Sequence, residues 1–127
     1  MLNMDLDILK NEGKTRIIQE LVPGKQITLA HIIANPDPVI YTKLGLDPAG
    51  DYRSTAIGII TLSPAETAII AGDIATKASG AELGFLDRFS GTLIVTGTVS
   101  QVSEALTAVM DYTKNTLGFT VCPITKT

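Results

Sequence analysis

Residues 56–79 read AIGIITLSPAETAIIAGDIATKAS, an Ile-rich run that passes straight into a helix start with no linker between them. AIGIITL (56–62) has the β-branched content and length of a strand. Ser63 can cap a helix, Pro64 has no N–H to lose at the first helical position, and Glu66 stands three residues after the cap. The spacing predicts a capping box at Ser63 and a helix over 64–79. Thr67, Ile70, Ala71, Ile74 and Ala78 fall on its apolar face, and Asp73 stands four residues before Lys77 as a stabilising pair.

The flanking segments extend this unit in both directions. RIIQELV (16–22) reads as an extended stretch stopped by Pro23-Gly24. QITLAHIIA (26–34) alternates Ile27, Leu29, His31 and Ile33 against Thr28, Ala30, Ile32 and Ala34; both faces are largely apolar, as in a central strand. Asn35-Pro36-Asp37-Pro38 breaks the chain, VIYTKLG (39–45) reads as a short helix ended by Gly45, and 46–55 reads as a loop. Downstream, ELGFLDRF (82–89) and TLIVTGTV (92–99) are joined by Ser90-Gly91 as a hairpin. Ser100 is expected to cap a helix over 101–117 with Val102, Leu106, Val109, Thr113 and Leu117 in one stripe, closed by Gly118 and followed by an extended tail. Residues 1–15 mix charge with scattered Leu, Ile and Met and close on Gly13 and Lys14, which predicts a flexible arm before a single domain over 16–127. The fold class implied is α/β of the α+β kind: an antiparallel or mixed sheet with two helices on one face. The other face is left uncovered, so an apolar surface there needs a partner.

Composition narrows the partners. The chain has 127 residues, 45% hydrophobic and 18% charged, which suits one domain with apolar surface to spare for subunit contacts. A net charge of -3 without a Lys/Arg cluster argues against nucleic acid. The longest apolar runs fall far short of the ~20 residues that span a bilayer, so no membrane is expected. Asp5 and Asp7 stand where a secretory signal would be basic and then apolar. Cys122 is the only cysteine, which excludes an internal disulfide and fits a reducing, cytoplasmic setting.

Catalytic chemistry is poorly supplied. Gly13-Lys14-Thr15 resembles the end of a phosphate-binding loop, but Ile8 occupies the position of the required glycine. His31 is the only histidine and sits among Ile and Leu, which favours packing or a hydrogen bond over ligand or base duty. Asp87 and Arg88 are neighbours in a predicted strand and would point to opposite faces, with Phe85, Asp87 and Phe89 together; a salt bridge or subunit contact suits them better than shared work on one substrate atom. Ser90 lacks an activating arrangement, and Cys122 has no His or cation beside it in sequence. No cofactor and no metal are expected. The residues favour a self-associating or binding domain over an enzyme. A small-molecule-binding regulatory domain at a subunit interface stays open beside it, since fold does not fix function.

Several separated motifs agree, in order, with one family. LVPGKQITLAHIIANP, then IGIITLSPAETAIIAGDIATKASGAELGFLDRFSGTLIVTG, the SQVSEALTAV helix and the terminal CPITKT closely resemble the circularly permuted bacterial microcompartment shell proteins of ethanolamine, propanediol and choline utilisation, from about Arg16 to Thr127. The resemblance implies a BMC-like domain in a homohexamer, a tile that packs with other shell proteins around enclosed enzymes, which are candidate partners. It places Phe89, Ser90 and Gly91 near the sixfold axis. It makes Ile17, Ile18, Gln19, Glu20, Leu21 and Val22 part of a six-stranded β-barrel capping the pore, with Ile18, Glu20 and Val22 on one wall and Ile17, Gln19 and Leu21 on the other. Lys77 matches a lysine at the hexamer edge, and Asn35 stands where ordinary tiles carry an arginine. Asp87, Arg88 and His31 are expected at subunit interfaces.

Overall fold

The computed structural model describes residues 24–46 and 55–127. The expected arm over 1–15, the barrel strand with its residues 17–22, and positions 47–54 of the expected loop lie outside the described residues. The elements in chain order are β1 (Gln26–Ile33), α1 (Pro38–Leu44), β2 (Ala56–Ser63), α2 (Thr67–Ala78), β3 (Glu82–Asp87), β4 (Thr92–Gly97), α3 (Val99–Asn115) and β5 (Thr125–Lys126). They form one sheet in the order β3-β4-β2-β1-β5, antiparallel except where β5 runs parallel to β1. The mixed sheet and the two long helices over one face are as the pattern implies.

Alternation in β2 and β4 sorts the side chains by face. Ala56, Ile60 and Leu62 of β2 join Leu93 and Val95 of β4 beneath α2 and α3, where Val102, Ala105, Leu106 and Val109 complete the core. Each fully buried Val, Leu or Ile side chain contributes roughly 1.5–3 kcal/mol relative to exposure. Gly58 lies on the same face, and a Cβ there would stand 2.6 Å from Val102 Cγ1 and 2.8 Å from Leu106 Cδ1, so α3 packs almost onto the backbone of β2.

The opposite face is covered in part, contrary to the expectation that it stays bare. Ile57 and Ile94 pack with Tyr41 and Leu46, carried by α1 and the residues after it. Asp37 caps α1 by accepting a hydrogen bond from the Val39 N–H at 3.0 Å, and Gly45 ends it with φ 74°. This helix is as short as expected.

Four local expectations are corrected. Ser63 does not cap α2, because it remains in β2 opposite Gln26; the chain turns through 64–66, and α2 begins at Thr67, whose hydroxyl donates to the Pro64 carbonyl at 2.6 Å. Of the expected stripe on α2, Ala71 is buried and Ile74 packs against the core, but Thr67, Ile70 and Ala78 are not buried; the fully buried side is Ala68, Ala71, Gly72 and Ala75. The small residues face inward because Leu83, Leu86 and Leu93 from the sheet already fill the space, leaving Ile69 and Ile70 49% and 45% exposed. Thr98, not Ser100, caps α3: its hydroxyl accepts from the Gln101 N–H at 3.1 Å while the Gln101 side chain accepts from the Thr98 N–H at 2.9 Å, a reciprocal box that outcompetes a lone serine. Finally, an irregularity in β1 between Ile27 and Leu29 breaks the strict alternation, so Ile27 is buried on the helix side with Ala30 and Ile32 rather than with Leu29, His31 and Ile33. The α3 stripe of Val102, Leu106, Val109 and Thr113 is buried as the spacing requires.

Candidate functional site

The hairpin turn between β3 and β4 gathers the residues with the strongest sequence expectations. β3 ends at Asp87, so Arg88 and Phe89 leave the strand and join Ser90 and Gly91 in a four-residue turn. The two-residue Ser90-Gly91 hairpin and the strand parity assigned to Arg88 and Phe89 are thereby corrected. The physical reason lies in hydrogen bonding: the Gly91 N–H donates to the Asp87 carbonyl at 2.9 Å, closing the turn one step wider than a tight hairpin, and the Asp87 carboxylate accepts from the Phe89 N–H at 2.9 Å. The Ser90 hydroxyl donates to Thr92 Oγ1 at 3.0 Å.

Gly91 anchors the turn to the sheet. Its φ is 77°, its carbonyl accepts from the Leu62 N–H at 2.8 Å, and a Cβ would collide with the Leu62 carbonyl oxygen. The tip is rigid at its base and projects outward at its head. Phe89 is 80% exposed, and the Arg88 guanidinium lies 4.9 Å from its ring centroid, so an aromatic face and a cation are presented as one unit.

The backbone N–H of Phe89, with that of Ser90 beside it, holds the Asp87 carboxyl below the usual carboxylate value of 3.8. A carboxylate whose folded pKa is lowered stabilises the fold above its unfolded pKa, and that contribution is lost as pH falls through the folded value. Protection of the Phe89 amide, its exchange relative to the intrinsic rate at each pH, is therefore expected to hold at neutral pH and to fall once pH drops below about 4. Asp87→Asn should remove that pH dependence.

The remaining predicted site residues lie elsewhere. Lys77 sits on the exposed side of α2, its Nζ 3.0 Å from Asp73 Oδ2, which is the expected pair. Both border an open apolar depression of about 400 Å³ between α2 and α3, lined by Ile70, Ile74 and Tyr112 as well. Asn35 is exposed in the bend after β1. His31 is half-buried at the other edge of the sheet, far along the strand order from the turn, and bonds to Thr125 and Thr127. Those two threonines were not singled out in the sequence; their alternation in the tail, Thr-x-Thr opposite a strand histidine, is the signal that marks them.

Among the described residues, the candidate nucleophile and base do not meet. Ser90 is exposed and bonded to a threonine, and His31 lies on a different strand pair at the opposite sheet edge. The BMC domain model matches residues 56–125. The bacterial microcompartment shell protein EutS of Salmonella typhimurium (strain LT2) is 54% identical over 90% of this chain and 98% of its own length. The shell protein CutR of Streptococcus intermedius is 50% identical over 87% of this chain and 91% of its own. Among solved structures, a CutR flat hexamer shares 46% identity and a TM-score of 0.77 over 84% of this chain and 94% of that one. A CutR screw form of 41.9 Å pitch shares 47% identity and a TM-score of 0.74 over 83% of this chain and all of that one.

Proposed function

The chain belongs to the BMC domain family of bacterial microcompartment shell proteins, and from that premise we infer that it is a structural tile of such a shell, assembled as a homohexamer. One observation carries the reading: the fold described above agrees with the protomer of a flat CutR hexamer along nearly the whole of that chain. A ring of six copies gives the apolar surplus of the composition somewhere to go, since a head-to-tail contact that closes under rotation buries it six times. The named relatives are shell proteins and not enzymes.

In this ring the turns with Phe89, Ser90 and Gly91 converge on the sixfold axis, each held at its base by the Gly91 carbonyl and presenting Phe89 with Arg88. Asp87, Arg88 and His31 contribute to contacts between subunits. Lys77 and Asn35 lie at the outer edge, where tiles meet other shell proteins. The α2–α3 depression beside Lys77 supports that placement because it leaves Ile70 and Tyr112 exposed in the single chain.

The domain is read as circularly permuted. In support, the family match begins at Ala56, yet β1 lies within the sheet between β2 and β5, so a strand preceding the matched region completes the fold. Residues 16–22 are assigned to a six-stranded β-barrel over the axis, which makes the tile a closed or docking surface, with enclosed enzymes as candidate partners. The support for this is the resemblance of RIIQELV and the turn at Pro23-Gly24. Averaged electron micrographs of the full chain and of a chain lacking residues 1–22 test both levels. Sixfold rings are expected for each, with axial density in the first and an open axis in the second. Axial density that persists after the deletion would refute the barrel; particles without sixfold symmetry would refute the tile.

A further inference from the structure

The C-terminal strand is the shortest element of the sheet, and the way it is held is unusual for an edge. β5 pairs with β1 over only two residues, His31 opposite Thr125 and Ile32 opposite Lys126. Two backbone bonds finish the contact: the Thr127 N–H donates to the Ile32 carbonyl at 2.9 Å, and the Ala34 N–H donates to the Thr127 carbonyl at 2.8 Å. So short a pairing is marginal by itself. Ile124 packs against the core just before it, and one side chain of β1 adds a further hold. His31 Nδ1 lies 2.6 Å from Thr125 Oγ1 and Nε2 lies 2.9 Å from Thr127 Oγ1, so both ring nitrogens are engaged by the two hydroxyls of the strand they face.

We propose that residues 125–127 form a releasable strap over the outer edge of β1 and that His31 is its clasp. Each threonine hydroxyl can donate to or accept from the ring nitrogen it faces, so the clasp closes with the ring proton on either nitrogen. Thr-x-Thr spacing places both hydroxyls on the same side of a strand, where one imidazole can span them. When the clasp opens, the outer N–H and C=O groups of β1 lose their cover, and an uncovered strand edge is a template for another strand.

The strap does not rest on the hexamer reading; because His31 is also assigned to subunit contacts there, light scattering on each variant separates loss of the clasp from loss of assembly. The test is native-state hydrogen exchange on the full chain, read at the Ala34 and Thr127 amides, with the Leu62 amide in the sheet centre as internal reference. His31→Phe keeps a planar ring but neither bond. It is expected to speed exchange at Ala34 and Thr127 on the order of tenfold, as loss of two side-chain hydrogen bonds implies, with Leu62 unchanged. His31→Gln, which keeps a donor and an acceptor on the side chain, should show a smaller acceleration. Unchanged exchange at Ala34 and Thr127 in His31→Phe, or an equal acceleration at Leu62, would overturn the clasp. On the unsubstituted chain, NMR should show the imidazole ring in contact with both Thr125 and Thr127; a ring without contact to either would overturn the clasp even if the variants fail to fold.

Discussion

Gly91→Ala is expected to destabilise the chain by about 2–5 kcal/mol, the sum of a left-handed backbone cost and a forced displacement of packed backbone. Three glycines make the argument separable. Gly45, Gly91 and Gly118 share nearly the same dihedral, with φ of 74°, 77° and 74°. A Cβ at Gly45 or Gly118 meets nothing, whereas at Gly91 it meets the Leu62 carbonyl and lies 3.1 Å from Ala65 Cα. Gly118→Ala should therefore cost only the backbone term, about 1–2 kcal/mol. Denaturant unfolding at matched protein concentration reads the difference, since association would otherwise shift the midpoints. If Gly91→Ala and Gly118→Ala fall within about 0.5 kcal/mol of each other, the turn is not pinned to β2 as described.

The second large effect is predicted in the core. Gly58→Val places branched carbon where α3 already touches the β2 backbone, and overpacking of this kind costs about 1–3 kcal/mol. Because the collision is with Val102 Cγ1 and Leu106 Cδ1, the cost is local and can be relieved locally. Combining Gly58→Ala with Val102→Ala should be less damaging than the two single changes added together, by about 0.5 kcal/mol or more, since one methyl enters the space the other vacates. Strict additivity would mean that α3 shifts as a body instead of meeting Gly58 at one point.

What the sequence made legible, and what it hid, follows from the range of the signals. β1, β2 and α1 were readable to within a residue because their marks are local: Pro36-Asp37-Pro38 starts α1, Gly45 stops it, and the Ile-rich runs have no helical alternative. The start of α2 was misread because Ser63-Pro64-Ala65-Glu66 is a sound capping pattern that loses to a ladder partner, Gln26, thirty-seven positions away. The face of α2 was misread for a related reason. Hydrophobicity alone sends isoleucine inward, but at Gly72 the room is set by Leu83, Leu86 and Leu93, and a Cβ there would stand 2.8 Å from Leu86 Cδ1. At the candidate site, the identity of the turn residues was legible, while the outward placement of Phe89 depended on a carboxylate hydrogen bond that strand parity does not encode. The Thr-x-Thr spacing on β5 is legible, but its pairing with His31 is not, because His31 and Thr125 are ninety-four residues apart.

Light scattering on the purified chain at micromolar concentration tests the central claim most directly. The account predicts one principal species with the mass of six 13.4-kDa chains, with or without larger assemblies of that unit. A monomer or dimer with no higher species would contradict it.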